Sequence, residues 1–306
     1  MRAIAVHDRE AEDYGLSLIE LASPSAAEND VVVEVHAAGF LRGEPEWPST
    51  WTDRAGRDRT PSVLGHEVSG VVVELGYGTT GLTIGQRVFG LTDWARNGSL
   101  AEYTAVEARN LAPLPADVDH TSAAAVVMPG LTAWQALFDH AHLQAGQTVL
   151  IHGVGGSVGS VAVQLARETG AHIIGTGRAA DRDMAGTLGA HDFLDLASDR
   201  LEDVGEVDVV FDVIGGEIRD RSTALLRPGG TLVTVAEPPT VQPANGRAIF
   251  FVVEPHREQS AQLAARLRDG RLTPLVTAVR DLAAAPAAFT ERTRDRIIIT
   301  MKSTTS

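Results

Sequence analysis

The run from His140 to Ala166 constrains the fold more than any other part of the chain. It contains no Asp, Glu, Lys or Arg, yet it is broken by Gly146, Gly153, Gly155, Gly156 and Gly159. A membrane-spanning helix needs about 20 mostly apolar residues without such breaks. The run is therefore read as a buried strand, Thr148-Val-Leu-Ile-His152, a glycine turn, and a helix over 158–168. Gly153, Gly156 and Gly159 are spaced by three. Glycines so placed allow a tight turn, let the backbone approach a pyrophosphate, and let the helix pack against the sheet. The start of the helix, at Ser157 and Val158, offers free N–H groups and a positive dipole end to phosphates. With a strand before the turn and a helix after it, the pattern predicts a dinucleotide site.

The chain beyond Glu168 repeats the unit. Strands are expected over 171–176, 193–195, 207–212, 231–236 and 248–253, with helices over 178–188 and between 212 and 231. This rhythm predicts an α/β domain built on a doubly wound parallel sheet. Residues 1 to about 120 differ. They hold β-branched runs at 31–35, 68–75 and 86–91, separated by turn signals such as Gly76-Tyr-Gly-Thr-Thr-Gly81, which predicts a small barrel or sandwich. Leu41 to Pro61 has no period and reads as a loop. A helix over 120–138 is expected to be interrupted at Pro129-Gly130. The tail, 272–301, carries a short alanine-rich helix and a last strand, Ile297-Ile-Ile-Thr300.

Composition removes several classes of function. At roughly 100 to 200 residues per domain, 306 residues suggest two domains. There is no cysteine, which excludes disulfides, thiolate metal sites and cysteine nucleophiles. The net charge of −14 argues against nucleic acid or an anionic membrane as partner. The N-terminus lacks an apolar stretch long enough for a signal peptide, so a soluble cytoplasmic protein is expected.

The second strand of the α/β unit ends at Thr176-Gly177-Arg178, where an NAD site usually has an acid for the ribose 2′-hydroxyl. The first acid here is Asp181, flanked by Arg178 and Arg182. A guanidinium suits a 2′-phosphate, so NADPH is the expected cofactor. The alternative is that both arginines are solvated helix residues.

Several further motifs go together: Ala37-Ala-Gly39, the segment 64–73 with Gly65-His66-Glu67, Gly85-Gln-Arg-Val-Phe-Gly90, Ser99-Leu-Ala-Glu-Tyr103, the segment 129–137, and Leu226-Arg-Pro-Gly-Gly-Thr231. In combination the chain resembles the medium-chain dehydrogenase/reductase superfamily, most closely its zinc-free quinone oxidoreductase (zeta-crystallin-like) branch. The resemblance implies a GroES-like catalytic domain, 1–120 with 272–306, around a Rossmann NADPH-binding domain, 121–271, with the cofactor between them. It implies a homodimer or tetramer. It places Thr132 and Ala236 near the nicotinamide, Val213 and Ile214 near the adenosine ribose and nicotinamide side, and Phe250 and Phe251 along the cofactor cleft. For each of these, core packing is the rival reading.

Zinc-dependent relatives use Gly65-His66-Glu67 as part of a metal site, together with a cysteine where this chain has Leu41. Catalytic zinc normally takes three protein ligands, and no third of matching spacing is apparent, so no metal is expected. His66 and Glu67 are then a structural or pocket-lining pair. Leu41, Trp47, Trp51, His66, Asp93 and Trp94 are weak candidates for the substrate pocket, the two loop tryptophans being equally readable as anchors. No residue stands out as acid or base. The expected activity is hydride transfer from NADPH to a small-molecule quinone or enone. The alternatives are a biosynthetic enoyl reductase acting on a polyketide-like intermediate, and a non-catalytic NADPH-binding sensor or structural protein.

Overall fold

A computed structural model describes residues 1–291 and 296–301. The chain forms two compact units. One comprises Met1–Met128, Pro255–Gly270 and the chain from Val276 onward, and the other Pro129–Glu254 and Arg271–Leu275. Among the described residues no helix is long and apolar enough to cross a membrane.

The second unit contains a six-stranded sheet that is parallel throughout. Its order is Asp192–Asp195, His172–Gly177, Thr148–His152, Val207–Asp212, Leu226–Thr234, Arg247–Phe250. Numbered along the chain this is 3-2-1-4-5-6, the doubly wound order, which reverses direction between the first and fourth strands. The expected fold class is borne out. The fifth strand starts earlier than its β-branched core suggests, at Leu226, with an irregular register against Val207–Asp212. Leu150, Ile174, Val207, Val210 and Leu232 form one core cluster of the unit. The helix Ser157–Thr169 ends at Gly170, whose φ of 80° lets its N–H return to the Ala166 and Arg167 carbonyls.

The first unit is mostly antiparallel. A seven-stranded sheet runs Ala278–Asp281, Ile297–Thr300, Asp30–Gly39, Glu67–Leu75, Arg87–Leu91, Leu111–Pro113, with Tyr103–Glu107 also paired to Asp30–Gly39. A three-stranded sheet joins Ser17–Glu20, Arg2–Val6 and Ser62–Val63. The last strand is part of this unit, because Ile298 to Thr300 pair antiparallel with Ala37 to Gly39.

Two local expectations need correction. The helix His120–Trp134 is not interrupted: Pro129 lies inside it, and a π-helical turn, Gln135–His140, continues it. Proline removes the N–H that would reach the carbonyl four residues back. That carbonyl belongs to Ala125, and the Arg296 guanidinium reaches it at 3.4 Å. The segment 41–61 is not a plain loop either. It folds into a 3₁₀ turn, Glu44–Glu46, and a short helix, Pro48–Trp51. Pro45 and Pro48 sit in first turns, where a missing N–H costs nothing. Thr50 Oγ1 donates to the Glu44 carbonyl at 2.6 Å, and Trp51 Nε1 to the Pro45 carbonyl at 2.8 Å. Elements this short have no hydrophobic period to read.

Candidate functional site

The glycine turn forms a cradle in which side chains would not fit. A Cβ on Gly159 would collide with the Gly153 carbonyl, so the helix sits against the strand end at a distance only glycine allows. Gly153 has a φ of 71°, and a Cβ there would lie 2.7 Å from Val213. Gly156 caps the helix with extended backbone and meets no side chain closely. No side chain caps the helix, so the first-turn N–H groups around Ser157 and Val158 stay available. This arrangement fits a dinucleotide pyrophosphate.

The structure separates the two arginines. Arg182 Nη1 donates to the Phe193 carbonyl at 3.1 Å, its guanidinium lies 4.8 Å from the Phe193 ring centroid, and Asp199 is 3.7 Å away. Arg178 is exposed and forms no ion pair among the described residues. Asp181 Oδ2 accepts from the Arg178 backbone N–H at 2.9 Å, and its carboxylate fills the space where Gly155 and Gly177 would otherwise carry a Cβ.

Beneath the turn lies a buried polar layer that the sequence pattern does not reveal. His152 is fully buried at the end of the first strand. The Ser222 hydroxyl donates to the Ile218 carbonyl at 2.7 Å, so it accepts from His152 Nε2–H at 2.8 Å. His152 Nδ1 is then an acceptor for Thr176 Oγ1–H, at 2.8 Å. Burial lowers the His152 pKa to about 4, which keeps the ring neutral. Asp212, ending the fourth strand, accepts from the Ile214 and Gly215 N–H groups and from Thr234 Oγ1. Thr234 Oγ1 in turn accepts from the Ala236 N–H at 3.2 Å. Arg219, buried, donates to the Glu237 and Pro238 carbonyls, each at 3.2 Å. Together these groups hold the turn at 213–216 and the segment after Thr234. They bring Gly153, Val213 and Ile214 into contact and place Ala236 beside Gly215.

The other expected cofactor residues lie in varied settings. Thr132 is buried in its helix, the Thr176 hydroxyl is engaged by His152, and Phe250 is partly exposed at the end of the outermost strand. Phe251 contacts the His140 ring at 4.5 Å between centroids.

The first unit holds a second cluster, also largely unforeseen. Glu67 is fully buried, and its Oε1 receives the Arg296 Nη2–H. Arg296 Nη1 donates to the Phe40 carbonyl at 3.2 Å. A Cβ on Gly39 would occupy the space of the Glu67 carboxylate, which explains the glycine ending Ala37-Ala-Gly39. Glu44, equally buried, accepts the Leu41 N–H on Oε1 at 2.9 Å and the Gly65 N–H on Oε2 at 2.7 Å. Burial pushes its pKa up to about 8, against the pull of those two bonds; Glu67 adds to the rise and Arg296 opposes it. Burial also raises the Glu67 pKa, and Arg296 counters it. Two acids and one base, all enclosed, favour retention of a proton.

His66 stands beside this cluster. Trp47 stacks on it at 5.8 Å, and Trp94 meets it edge-on at 4.9 Å. Its Nδ1 lies 2.7 Å from Thr92 Oγ1. Asp93 forms an ion pair with Arg54 at 2.8 Å. Trp51 is instead enclosed in the core, near Tyr14, and Leu41 is half-buried with its N–H on Glu44. The donor set does not fit zinc. Glu67 is committed to Arg296, Leu41 has no ligand atom, and no group of three or more His, Cys, Asp or Glu suited to a metal occurs among the described residues.

Comparison with known proteins agrees with both halves. The alcohol dehydrogenase GroES-like domain family matches residues 27–116, and the zinc-binding dehydrogenase family matches residues 157–256. The chain is 39% identical over 245 residues to the spectinabilin polyketide synthase system protein NorB of Streptomyces orinoci, covering 74% of this chain but only 11% of that protein. It is 31% identical over 288 residues to 2-methylene-furan-3-one reductase of Solanum lycopersicum, covering 86% of this chain and 69% of that one. The structure of the quinone oxidoreductase from Coxiella burnetii superposes with a TM-score of 0.88 at 25% identity, over 99% of each chain.

The buried charges make two outcomes testable. Arg296→Met leaves Glu67 without its countercharge and is expected to cost about 3–5 kcal/mol in denaturant unfolding. Adding Glu67→Gln should recover part of that loss, and an unchanged midpoint for Arg296→Met would disprove the pairing. Glu44 concerns pH. Its carboxyl has an ordinary value of 4.5 and a folded value of about 8, so the folded chain keeps a proton that the unfolded chain releases. Stability should therefore fall as pH rises between those two values and level off above them. Glu44→Gln should flatten that slope in melting-temperature profiles; equal slopes for variant and wild type would refute the assignment.

Proposed function

This chain belongs to the medium-chain dehydrogenase/reductase superfamily, in its quinone-oxidoreductase-like branch, and from that premise we propose that it is a zinc-independent, NADPH-dependent reductase of quinones or enones. The observation that carries this reading is the pairing of an open glycine cradle with a His66-Glu67 motif whose carboxylate is neutralised by Arg296. Bound NADPH supplies a hydride, and the protein's work is to hold and orient it. The N–H groups at Ser157 and Val158 would receive the pyrophosphate. Arg178, free of an ion pair among the described residues, would receive the 2′-phosphate, while Arg182 braces the third strand. Asp212 and Arg219 keep the turns at 213–216 and 236–240 in position. The outer strand Arg247–Phe250 has a neighbouring strand on one side only among the described residues, which supports a homodimer, since a sheet edge can receive a second copy.

One observation favours a second reading. The 39% identity to part of NorB supports an enoyl reductase acting on a polyketide-like intermediate, which needs the same hydride chemistry on a larger substrate.

Loss of NADPH absorbance with 1,4-benzoquinone and 2-cyclohexenone is the direct test. Turnover of either is expected. Tight NADPH binding with no turnover of any acceptor would favour a binding module instead, and turnover of long-chain enoyl thioesters alone would favour the biosynthetic reading. Arg178→Ala should raise the NADPH KM about 10-fold or more while leaving NADH nearly unchanged, because a bond to a charged group is worth about 1.5–3 kcal/mol. Arg182→Ala should do less. Equal effects of Arg178→Ala on both cofactors would remove the preference for NADPH.

A further inference from the structure

His66 is almost completely enclosed, with 2% of its surface exposed, in the turn that leads into Glu67–Leu75. Trp47 lies nearly parallel to the ring, at 17°, and Trp94 crosses it at 74°, so the plane of the imidazole is set from two sides. Thr92 fixes the ring's protonation. Its backbone N–H donates to the His66 carbonyl at 2.9 Å, and its Oγ1 lies 2.7 Å from His66 Nδ1. Thr92 is itself buried, and its hydroxyl has no other partner among the described residues. A buried hydroxyl proton needs an acceptor, and the one in reach is Nδ1. Thr92 therefore donates, Nδ1 accepts, and the ring proton resides on Nε2.

Nε2 has no hydrogen-bond partner among the described residues, nor is it one of the side-chain atoms sealed from solvent without one. The N–H is thus held at a fixed angle and left open. Burial, reinforced by the Arg59 guanidinium and opposed by Asp93, lowers the His66 pKa to about 3. The group presented is a neutral imidazole N–H, which can polarise an oxygen without itself carrying charge.

We propose that His66 Nε2–H is a catalytic hydrogen-bond donor to the carbonyl oxygen of the substrate, the ring being held in place by Trp47 and Trp94, which also pack edge-on against each other at 5.6 Å. This rests on the reading of the chain as an enone or quinone reductase. Reduction of an enone would deliver a hydride, the chemistry a reduced nicotinamide supplies, to the β-carbon. The alkene π pair becomes the new bond between the α-carbon and the carbonyl carbon, and the carbonyl π pair moves to oxygen. The enolate charge is stabilised by the Nε2–H bond, and the imidazole gives up no proton. A proton from water, which is left as hydroxide, would then add to the α-carbon and give the saturated ketone. Preorganised donors of this kind gain strength as charge develops on the oxygen.

The test separates the donor from the ring. His66→Phe keeps an aromatic ring beside the two tryptophans and removes the N–H, whereas His66→Gln keeps a side-chain N–H. With 2-cyclohexenone, His66→Phe should lose about 100-fold in kcat/KM, the scale of removing one oxyanion donor. His66→Gln should regain part of that loss, and the NADPH Kd should hold in both. Binding of 4-nitrophenolate, whose conjugated oxyanion imitates the enolate, provides a readout independent of turnover. Its affinity should fall in His66→Phe and, by a smaller factor, in Thr92→Val. Wild-type kcat/KM and phenolate affinity in His66→Phe would overturn the proposal. So would a nitrogen-15 spectrum of the wild type with the His66 proton on Nδ1, which needs no variant to fold. Should no enone or quinone be turned over while phenolate binding still depends on His66, the reductase reading fails and the donor site stands.

Discussion

A guanidinium taken out of water costs several kcal/mol unless a carboxylate and further acceptors compensate it. Arg296 is 6% exposed, and its surroundings meet most of that demand, with Arg296 Nε and Glu67 Oε2 left without hydrogen-bond partners among the described residues. Glu67 supplies the charge, the Phe40 carbonyl accepts one N–H, and the Ala125 carbonyl accepts another. Each partner comes from a different element: the strand that follows Gly65-His66-Glu67, the end of Asp30–Gly39, and the helix that continues through Pro129. Pairing one buried charge therefore ties the C-terminal strand to the motif and gives a guanidinium N–H to the carbonyl that proline leaves without its helical donor. Gly39 belongs to the same solution, because any side chain there would displace the Glu67 carboxylate. Glu44 adds a second enclosed acid, whose two backbone bonds fold the 41–46 segment back onto Gly65.

The α/β unit meets a similar demand with neutral groups. Its strands end in polar side chains, His152, Thr176, Asp212 and Thr234, all fully buried. They spend their hydrogen bonds on one another and on the N–H groups of the turns that follow. A loop that must receive a ligand cannot bury much apolar surface of its own. The polar layer takes over that task, and it sets the positions of Val213 to Gly216 and of Ala236 from below.

The split between what the sequence reveals and what it hides tracks the range of the interactions. The glycine turn at 153–159 and the β-branched runs of the parallel sheet are local patterns, each with its physical reason inside a window of about ten residues, and both are legible. The Glu67–Arg296 pair spans 229 positions, and no periodicity marks an arginine as buried. Pro129 reads as a helix break because its remedy lies in the tail of the chain. Arg178 and Arg182 are indistinguishable by position, and the contacts of Arg182 with Phe193 and Asp199 separate them. Trp47 and Trp51, likewise paired by sequence, diverge because Trp51 finds an acceptor at Pro45 and enters the core, while Trp47 reaches His66.

Gly65-His66-Glu67 shows how the same residues can serve two chemistries according to their neighbours. For a metal, the histidine must present a lone pair and its companions must offer further donor atoms. Here Leu41 brings no donor, the Glu67 carboxylate is taken by Arg296, and Thr92 occupies the Nδ1 lone pair of His66. The ring atom left open is thereby the one that carries hydrogen. In the absence of other constraints an imidazole exchanges its tautomers readily, so the placement of one threonine hydroxyl decides whether His66 offers a base or a donor. The enolate of the proposed reaction needs a donor. The Thr92 contact and the Arg296 pair act in the same direction: one turns the histidine from ligand to hydrogen-bond donor, the other withdraws the carboxylate from the site.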